Sequence, residues 1–526
     1  MLLFAASWWS NRVARCLRAA LPALAVAAAL LVVNAAAAVS VHGAVEGLER
    51  IALGVVVAMS FLAVAPRLTA LLLGVAGTGA AIMAVWQRLF GLEAAAEWLR
   101  APEAAALAGS TRAAMLARVE SGRAFGTLLL PGSLAGLIGI TLPATLALVL
   151  RLRGAARGAA IAGALVQAAA ILATGSLAGI AALVLAGAAT AVLAAPSARL
   201  RWSAAVGALA IGGACLIGVA AARGIGGGSG VKDAPFGWRA GNWTAGVRMI
   251  AERPVLGAGG DGYAALYPRL RAEGSNETRR AHCTPLELLV EYGLFALPMI
   301  LLGAVAVLGL WLRACRAGGT AAILSIGLPA FLLHDLVDFT AYQPAVLLPF
   351  LALAGSLAAR LGDEKEEDGT RVPPAPLRPV PACALVALGL WLAGRMLAGG
   401  AGDLMQDRAA ERLAAGDREG ALDLQERAAA LSPKDPAPLA AAASTLIALG
   451  RAEDAAERAG RAARLEPESG ALRFLEGSAL LSAQKPVPAF VAFCEAVRLA
   501  PTEASYREAR DRTAAAIAAG AGKEGA

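Results

Sequence analysis

RAGNWTAGVRMIAERPVLGAGGDGYAALYPRLRAEGSNETRRAHCTPLELLVE, from Arg239 to Glu291, is the stretch on which the reading turns. It is polar and basic, in a chain that otherwise runs through apolar segments. Seven arginines stand in it (Arg239, Arg248, Arg253, Arg269, Arg271, Arg279 and Arg280), and His282, one of three histidines in the chain, follows at once. A connector this long between apolar spans is unusual unless it carries function.

On either side of it, apolar runs of about 20 residues recur, the length a helix needs to cross a bilayer. Of the 526 residues 58% are hydrophobic and only 16% are charged, which excludes a soluble globule and makes the chain a polytopic membrane protein. The net charge of +8 does not point to nucleic acid, because the basic residues are scattered among short connectors rather than gathered on one face. The six cysteines are far apart, without CxxC or Cys/His metal spacing, and most read as small core hydrophobes.

Apolar segments are expected from about residue 17 to 41 and over 51–66, 68–90, 124–150, 158–174, 177–195 and 203–222. After the polar stretch come 286–312, 320–337, 343–359 and 380–399, about eleven spans in all. With the N-terminus in the cytoplasm, the short basic connectors at Arg151–Arg157, Arg199–Arg201 and Arg313–Arg316 fall inside, as the positive-inside rule requires. The stretch 223–285 and everything after 400 then fall outside. The 91–123 connector, with Arg100, Arg112, Arg118 and Arg123, also falls outside and goes against the bias.

After residue 400 charges become dense and a 34-residue period appears. Leu431-Ser-Pro433, Leu465-Glu-Pro467 and Leu499-Ala-Pro501 align at it, as do Ala421, Ala455 and Ala489, and Ala428, Ala462 and Ala496. Gly416 and Gly450 align with Gln484. Three tetratricopeptide repeats are expected, with small alanines for close helix approach and prolines past the second helix of each pair. Such repeats bind a peptide or protein, or serve only as an assembly module.

The expected fold is all-α: N-terminal transmembrane helices over 1–222, an external arginine-rich loop over 223–285 and transmembrane helices over 286–360. A cytoplasmic proline-rich acidic linker over 361–379, a last span over 380–400, repeats over 404–513 and a disordered tail over 514–526 complete it.

Gly257-Ala-Gly259-Gly260-Asp261-Gly262 matches GxGxxG, but no strand–helix unit surrounds it, and a tight turn is the better reading. No DxD or metal-ligand cluster is evident, and no cofactor is expected. The arginines suit a phosphate, since a guanidinium stays charged and can grip two oxygens. His282 can take a proton from a hydroxyl near neutral pH. His334, Asp335 and Asp338 stand within about one turn at the end of an apolar segment, where ionisable groups either act in function or cap and pair.

Four stretches together resemble the bacterial O-antigen ligase and polymerase superfamily, in the branch with C-terminal tetratricopeptide repeats. Arg123-AFGTLLLPGSLAGLIGITLP is similar to its R-x-x-GT-F-x-NPN-x-LAG segment. Arg239-x3-Trp243 with MIAERPVLGAGGDGYAALYP is similar to R-x3-W and PLLGxGxGxF…YP. His282 to Gly293 resembles HNxYLQxLxExG, and His334 to Phe339 resembles HxLVDF.

The resemblance implies transfer of a glycan from a polyprenyl diphosphate to a saccharide, lipid or protein acceptor, outside the bacterial cytoplasmic membrane. It makes His282 the base and Arg239, Arg248, Arg269, Arg271, Arg279, Arg280 and Arg123 candidates for the diphosphate. Glu291, His334 and Asp338 become supporting residues. Three departures stand out: Leu177 follows Thr174-Gly-Ser176 where the family has arginine, Cys283 replaces an asparagine, and Leu130-Pro131-Gly132 replaces NPN. The alternative reading is a non-catalytic envelope assembly protein whose repeats recruit partners. A transporter would show charged or broken helices at mid-membrane in inverted repeats, and no convincing example occurs.

Overall fold

The computed structural model describes residues 33–35, 37–61, 64–101, 109–128, 130–222, 235–363 and 379–524. No strand occurs among them. The first apolar run lies mostly outside them.

The membrane part comprises α1 (Val41–Phe61), α2 (Pro66–Trp86), α3 (Leu92–Arg100), α4 (Gly109–Glu120), α5 (Pro131–Arg151), α6 (Gly154–Ala173), α7 (Leu177–Ala194) and α8 (Ala198–Ala222). After the polar stretch it resumes with α11 (Thr284–Tyr292), α12 (Ala296–Ala317), α13 (Gly319–Ser325), α14 (Gly327–Asp335) and α15 (Pro344–Asp363). Among the described residues seven helical segments are long and apolar enough to cross a membrane. The chain is an integral membrane protein by this measure and by its composition.

α5 is the centre. Of its apolar window 72% is buried, against 6% for α8 at the periphery. It packs on α2, α6, α7, α13, α14 and α15. Polar groups in this interior find one another: Gln167 donates to Thr145 Oγ1 at 2.8 Å, and Thr141 donates to Gln167 at 2.8 Å. An unpaired amide in hydrocarbon would cost several kcal/mol, about the scale set by transfer data, so the knot fixes the register of α5 against α6.

Two expected spans take a different form. The 320–337 segment breaks between α13 and α14, and its polar end turns back into the core. The 124–150 segment becomes helical only at Pro131, where proline suits a first helical turn. The 91–123 connector that resisted the charge rule contains two packed helices. α3 packs on α4, Arg100 pairs with Glu120 at 2.6 Å, and Arg112 donates to the Leu99 carbonyl. Arg100 and Arg112 are thus drawn into local pairing.

The polar stretch is a folded unit rather than an open loop. α9 (Pro235–Glu252) and α10 (Gly262–Leu270) pack with α11 around Met249, Tyr263, Leu266, Tyr267 and Val290. The Gly257–Gly262 segment is a backbone crossing. Gly257 and Gly293 both have positive φ, and a Cβ on Gly257 would meet the Glu291 carbonyl and the Gly293 nitrogen. Only glycine permits this approach.

The last apolar helix continues without a break into the repeats as α16 (Pro379–Ala414). α17 (Arg418–Leu431), α18 (Pro436–Ala448), α19 (Ala452–Leu465), α20 (Gly470–Ser482), α21 (Pro486–Leu499) and α22 (Ala504–Glu524) follow as stacked pairs. Ala421, Ala428, Ala455, Ala462, Ala489 and Ala496, the residues that align at the 34-residue period, are all fully buried. Gln484 takes the left-handed conformation of Gly416 and Gly450. The tail expected to be disordered after 513 continues as helix to Glu524, in keeping with its alanines.

The repeats touch the polar unit. Arg271 is only 10% exposed and donates to Thr502 Oγ1 at 3.2 Å and to Glu503. Ser40 donates to Glu466 at 3.3 Å. Arg271→Ala is expected to loosen this seam, since hydrogen bonds to charged groups contribute about 1.5–3 kcal/mol. Hydrogen exchange around Thr502–Tyr506 should accelerate while exchange in α5 is unchanged. Unaltered exchange in the repeats would mean that the seam is held by other contacts.

Candidate active site

His282 lies where α11 enters the membrane core. Its φ is +55°, in the left-handed region that a non-glycine residue adopts at a cost of about 1–3 kcal/mol. The flanking contacts hold it there. The Ala281 N–H donates to Glu287 at 3.1 Å, the Trp243 indole donates to the His282 carbonyl at 3.4 Å, and the Thr284 N–H donates to the Asp338 carbonyl at 3.1 Å. Phe339 meets the imidazole edge-on, with ring centroids 4.8 Å apart.

Asp338 stands between two histidines. His282 Nδ1 lies 3.5 Å from its Oδ1, and His334 Nε2 lies 3.5 Å from its Oδ2. These are ion-pair contacts, longer than normal hydrogen bonds. Burial opposes the Asp338 charge, but the two imidazoles outweigh it and hold the carboxyl well below the usual carboxylate range. His334 is buried, whereas the His282 side chain is 31% exposed, so His282 is the one a substrate can reach.

The break after α14 is tied down by Asp335. It accepts from Thr340 Oγ1 at 2.5 Å, from the Ala341 N–H at 2.9 Å and from Thr284 Oγ1. The chain reversal that delivers Asp338 is therefore fixed by a neighbouring carboxylate. Gly132 makes room for it: a Cβ there would collide with Asp338 Oδ2. The glycine that departs from NPN thus lies against Asp338. Gly136, on the second turn of α5, and Gly179, on the first turn of α7, stand beside His334, where a Cβ would come within 3.3 and 3.5 Å of its ring. Three helix N-termini, those of α5, α7 and α11, meet around this cluster. Each carries a partial positive charge that favours an anion.

The candidate arginines divide by what they touch. Arg280 pairs with Glu287 at 2.8 Å and Asp261 at 3.2 Å, reaches Glu291 at 3.8 Å, and lies over the Tyr342 ring. Burial alone would lower its basicity; Glu287 and Asp261 more than offset this and keep it charged. Glu291 accepts from the Asp261 N–H at 2.9 Å and from the Tyr342 hydroxyl at 2.7 Å. Arg248 donates to the Leu270 carbonyl at 3.1 Å, and Arg269 pairs with Glu252 at 2.5 Å. Arg271 holds the repeats. Arg279 pairs with Asp261 at 2.9 Å but is 80% exposed. Arg239 stands one helical turn before Trp243, whose indole reaches His282. Arg123 donates to the Thr174 carbonyl at 2.8 Å, at the turn in which Leu177 stands.

Residues 162–301 match the O-antigen ligase family model. The match runs from α6 to α12 and contains the polar unit, His282 and Glu291. No curated protein matches the chain. Among solved structures, a tetratricopeptide domain titled "First TPR of Spaghetti (RPAP3) bound to HSP90 peptide SRMEEVD" is 17% identical, with a TM-score of 0.22, covering 23% of this chain and 95% of that one. The Arabidopsis OM64 tetratricopeptide domain is 16% identical, with a TM-score of 0.21, covering 22% and 96%.

Sequence reading missed two residues here, Arg50 outside the matched stretch and Glu287 within it. Arg50 also lies over the Tyr342 ring, 5.0 Å from its centroid. With Tyr342 and Glu291 it lines a cavity of about 330 Å³ whose other walls, from α1, α12 and α15, are largely apolar. Glu287 is the second. The signal for Arg50 was the run Glu46, Glu49, Arg50 inside an otherwise apolar helix.

Proposed function

We propose that the chain is a membrane glycosyltransferase that moves a glycan from a polyprenyl diphosphate to a saccharide, lipid or protein acceptor. The observation that carries this reading is His282, held in a left-handed backbone against Asp338, where the N-termini of α5, α7 and α11 converge. His282 accepts the acceptor hydroxyl's proton, and Asp338 orients the imidazole and offsets the charge that forms on it. The sugar's anomeric carbon gains the acceptor oxygen and loses the diphosphate. That leaving group is already anionic, so positive charge stabilises its departure without a general acid.

Arg239, Arg279 and Arg123 take the diphosphate in this reading. Arg123 would offset the arginine absent at Leu177. Arg248, Arg269, Arg271 and Arg280 hold the polar unit together. The apolar cavity beside Tyr342, with Arg50 at its wall, fits the first units of the prenyl chain. This arrangement works on the outer side of a bacterial inner membrane, with the repeats on the same side offering a surface for a protein partner.

Purified protein supplied with a polyprenyl diphosphate glycan and a panel of acceptors tests the reading. Arg239→Ala should weaken carrier binding and slow transfer. Arg239→Lys should restore only part, because an ammonium lacks the two-pronged grip. Carrier binding without transfer to any acceptor would favour the second reading, an assembly protein, for which Leu177 is the supporting observation.

A further inference from the structure

A second group of arginines stands at the opposite end of the helix bundle. Arg67 at the start of α2, Arg151 at the end of α5 and Arg360 near the end of α15 line one shallow concavity with Thr320, Leu148 and Leu324. Arg151 donates to Thr320 Oγ1 through two nitrogens, at 2.9 and 2.5 Å. Among the described residues none of the three forms an ion pair with a carboxylate. Arg67 and Arg360 are close enough to Arg151 to repel it. Three cations brought together by three helices, with no carboxylate paired to them among the described residues, is an arrangement that an anion relieves.

The distance from the candidate active site identifies the side of the membrane. Gly132, against Asp338, and Arg151 are both on α5, nineteen residues and about 28 Å apart. Along α15, Pro344 and Arg360 are sixteen residues and about 24 Å apart. These spacings approach the thickness of a bilayer's hydrocarbon core, roughly 30 Å. The arginines therefore stand at the headgroup level of the opposite leaflet. The concavity, about 20 Å³, has room for phosphate oxygens between the guanidiniums but not for an enclosed ligand. Its apolar floor is Ala70, Ala147, Leu148 and Leu324, which belong to the buried core.

We propose that Arg67, Arg151 and Arg360 form a binding site for a phosphate-bearing anion, supplied by the headgroup of an anionic phospholipid in the leaflet opposite the candidate active site. Guanidiniums match phosphate oxygens in pairs, and basic pockets between membrane helices take such headgroups. The site rests on the membrane reading of the helices and is independent of the transfer chemistry.

The test uses the full chain in nanodiscs of phosphatidylcholine with and without phosphatidylglycerol. Retained phosphatidylglycerol is read by native mass spectrometry and protein stability by thermal melting. Arg67→Gln with Arg360→Gln leaves the Arg151–Thr320 bond in place. This pair should lower phosphatidylglycerol affinity roughly 30-fold while the melt in phosphatidylcholine is unchanged. Arg313→Gln with Arg316→Gln removes equal charge elsewhere on the same side and should retain the lipid. Equal loss in both pairs would mean diffuse attraction and overturn the site.

Inorganic phosphate tests the other source. If it stabilises lipid-stripped protein and displaces phosphatidylglycerol, the anion is a soluble one and the lipid assignment fails. If replacing Glu364, Glu366, Glu367 and Asp368 by their amides creates a lipid preference that wild type lacks, the chain's own acids fill the site and the proposal also fails. Should the glutamine pair not purify, Arg67→Lys with Arg360→Lys retains charge without the paired contact, and phosphatidylglycerol retention equal to wild type would overturn the assignment.

Discussion

His282→Ala should abolish glycan transfer, by about 10²–10⁴-fold, while leaving polyprenyl diphosphate binding nearly intact. A base acts on the acceptor hydroxyl, so its loss does not touch the carrier. The alanine also gives up the contacts with Asp338 and Phe339, which tie this position to the core. Asp338→Asn separates the two roles: it retains the side chain's shape but not its charge, and His282 keeps its nitrogen. Transfer should fall less than in His282→Ala, and carrier binding should again be unchanged. The measurement is carrier binding and transfer on the same preparations. Wild-type transfer in His282→Ala would remove the histidine from the mechanism; loss of carrier binding in it would make His282 a donor-site residue instead.

Arg280→Met should be the most damaging single change to the fold of the polar unit. Glu287 and Glu291 are essentially buried, and Arg280 is the cation that faces both. Removing one partner of a buried ion pair typically costs about 3–5 kcal/mol, because the remaining charge is stranded. Hydrogen exchange across the Gly257 turn and α11 should rise steeply, and Trp243 should lose its fixed environment. Combining Arg280→Met with Glu287→Gln should recover a large part of the loss, since a neutral amide is cheaper to bury. No recovery in the double variant would mean that Arg280 acts through its stack on Tyr342 rather than through charge. A folded Arg280→Met protein with impaired carrier binding would place Arg280 in the substrate site, against the grouping given above.

The sequence carried the architecture because its signals are local. Twenty apolar residues read as a span wherever they stand, since a backbone in lipid must satisfy its hydrogen bonds within the helix. The 34-residue period was equally legible: each repeat needs a small residue where its helices touch, and the six aligned alanines are all buried. Even Gln484 was visible as the odd member of a glycine column, and it takes the glycine's conformation. The polar stretch stood out by contrast with its surroundings, and it folds as a unit around Met249, Tyr263 and Tyr267.

What the arginines do could not be read in that way. All seven have the same chemistry, and their sequence neighbours do not say which carboxylate they meet. Arg280 meets Glu287 seven positions on, but also Asp261, nineteen back; Arg271 meets Glu503 from another domain. The alliance of His282 with Asp338 spans 56 positions and depends on the break after α14, the Asp335 knot and the space left by Gly132. Local propensity and hydropathy determine where helices form and which of them are apolar. Which polar side chains are spent on holding the fold and which remain for a substrate is decided by long-range packing, because burial makes an unpaired charge costly and so selects partners by position in space rather than by position in the chain.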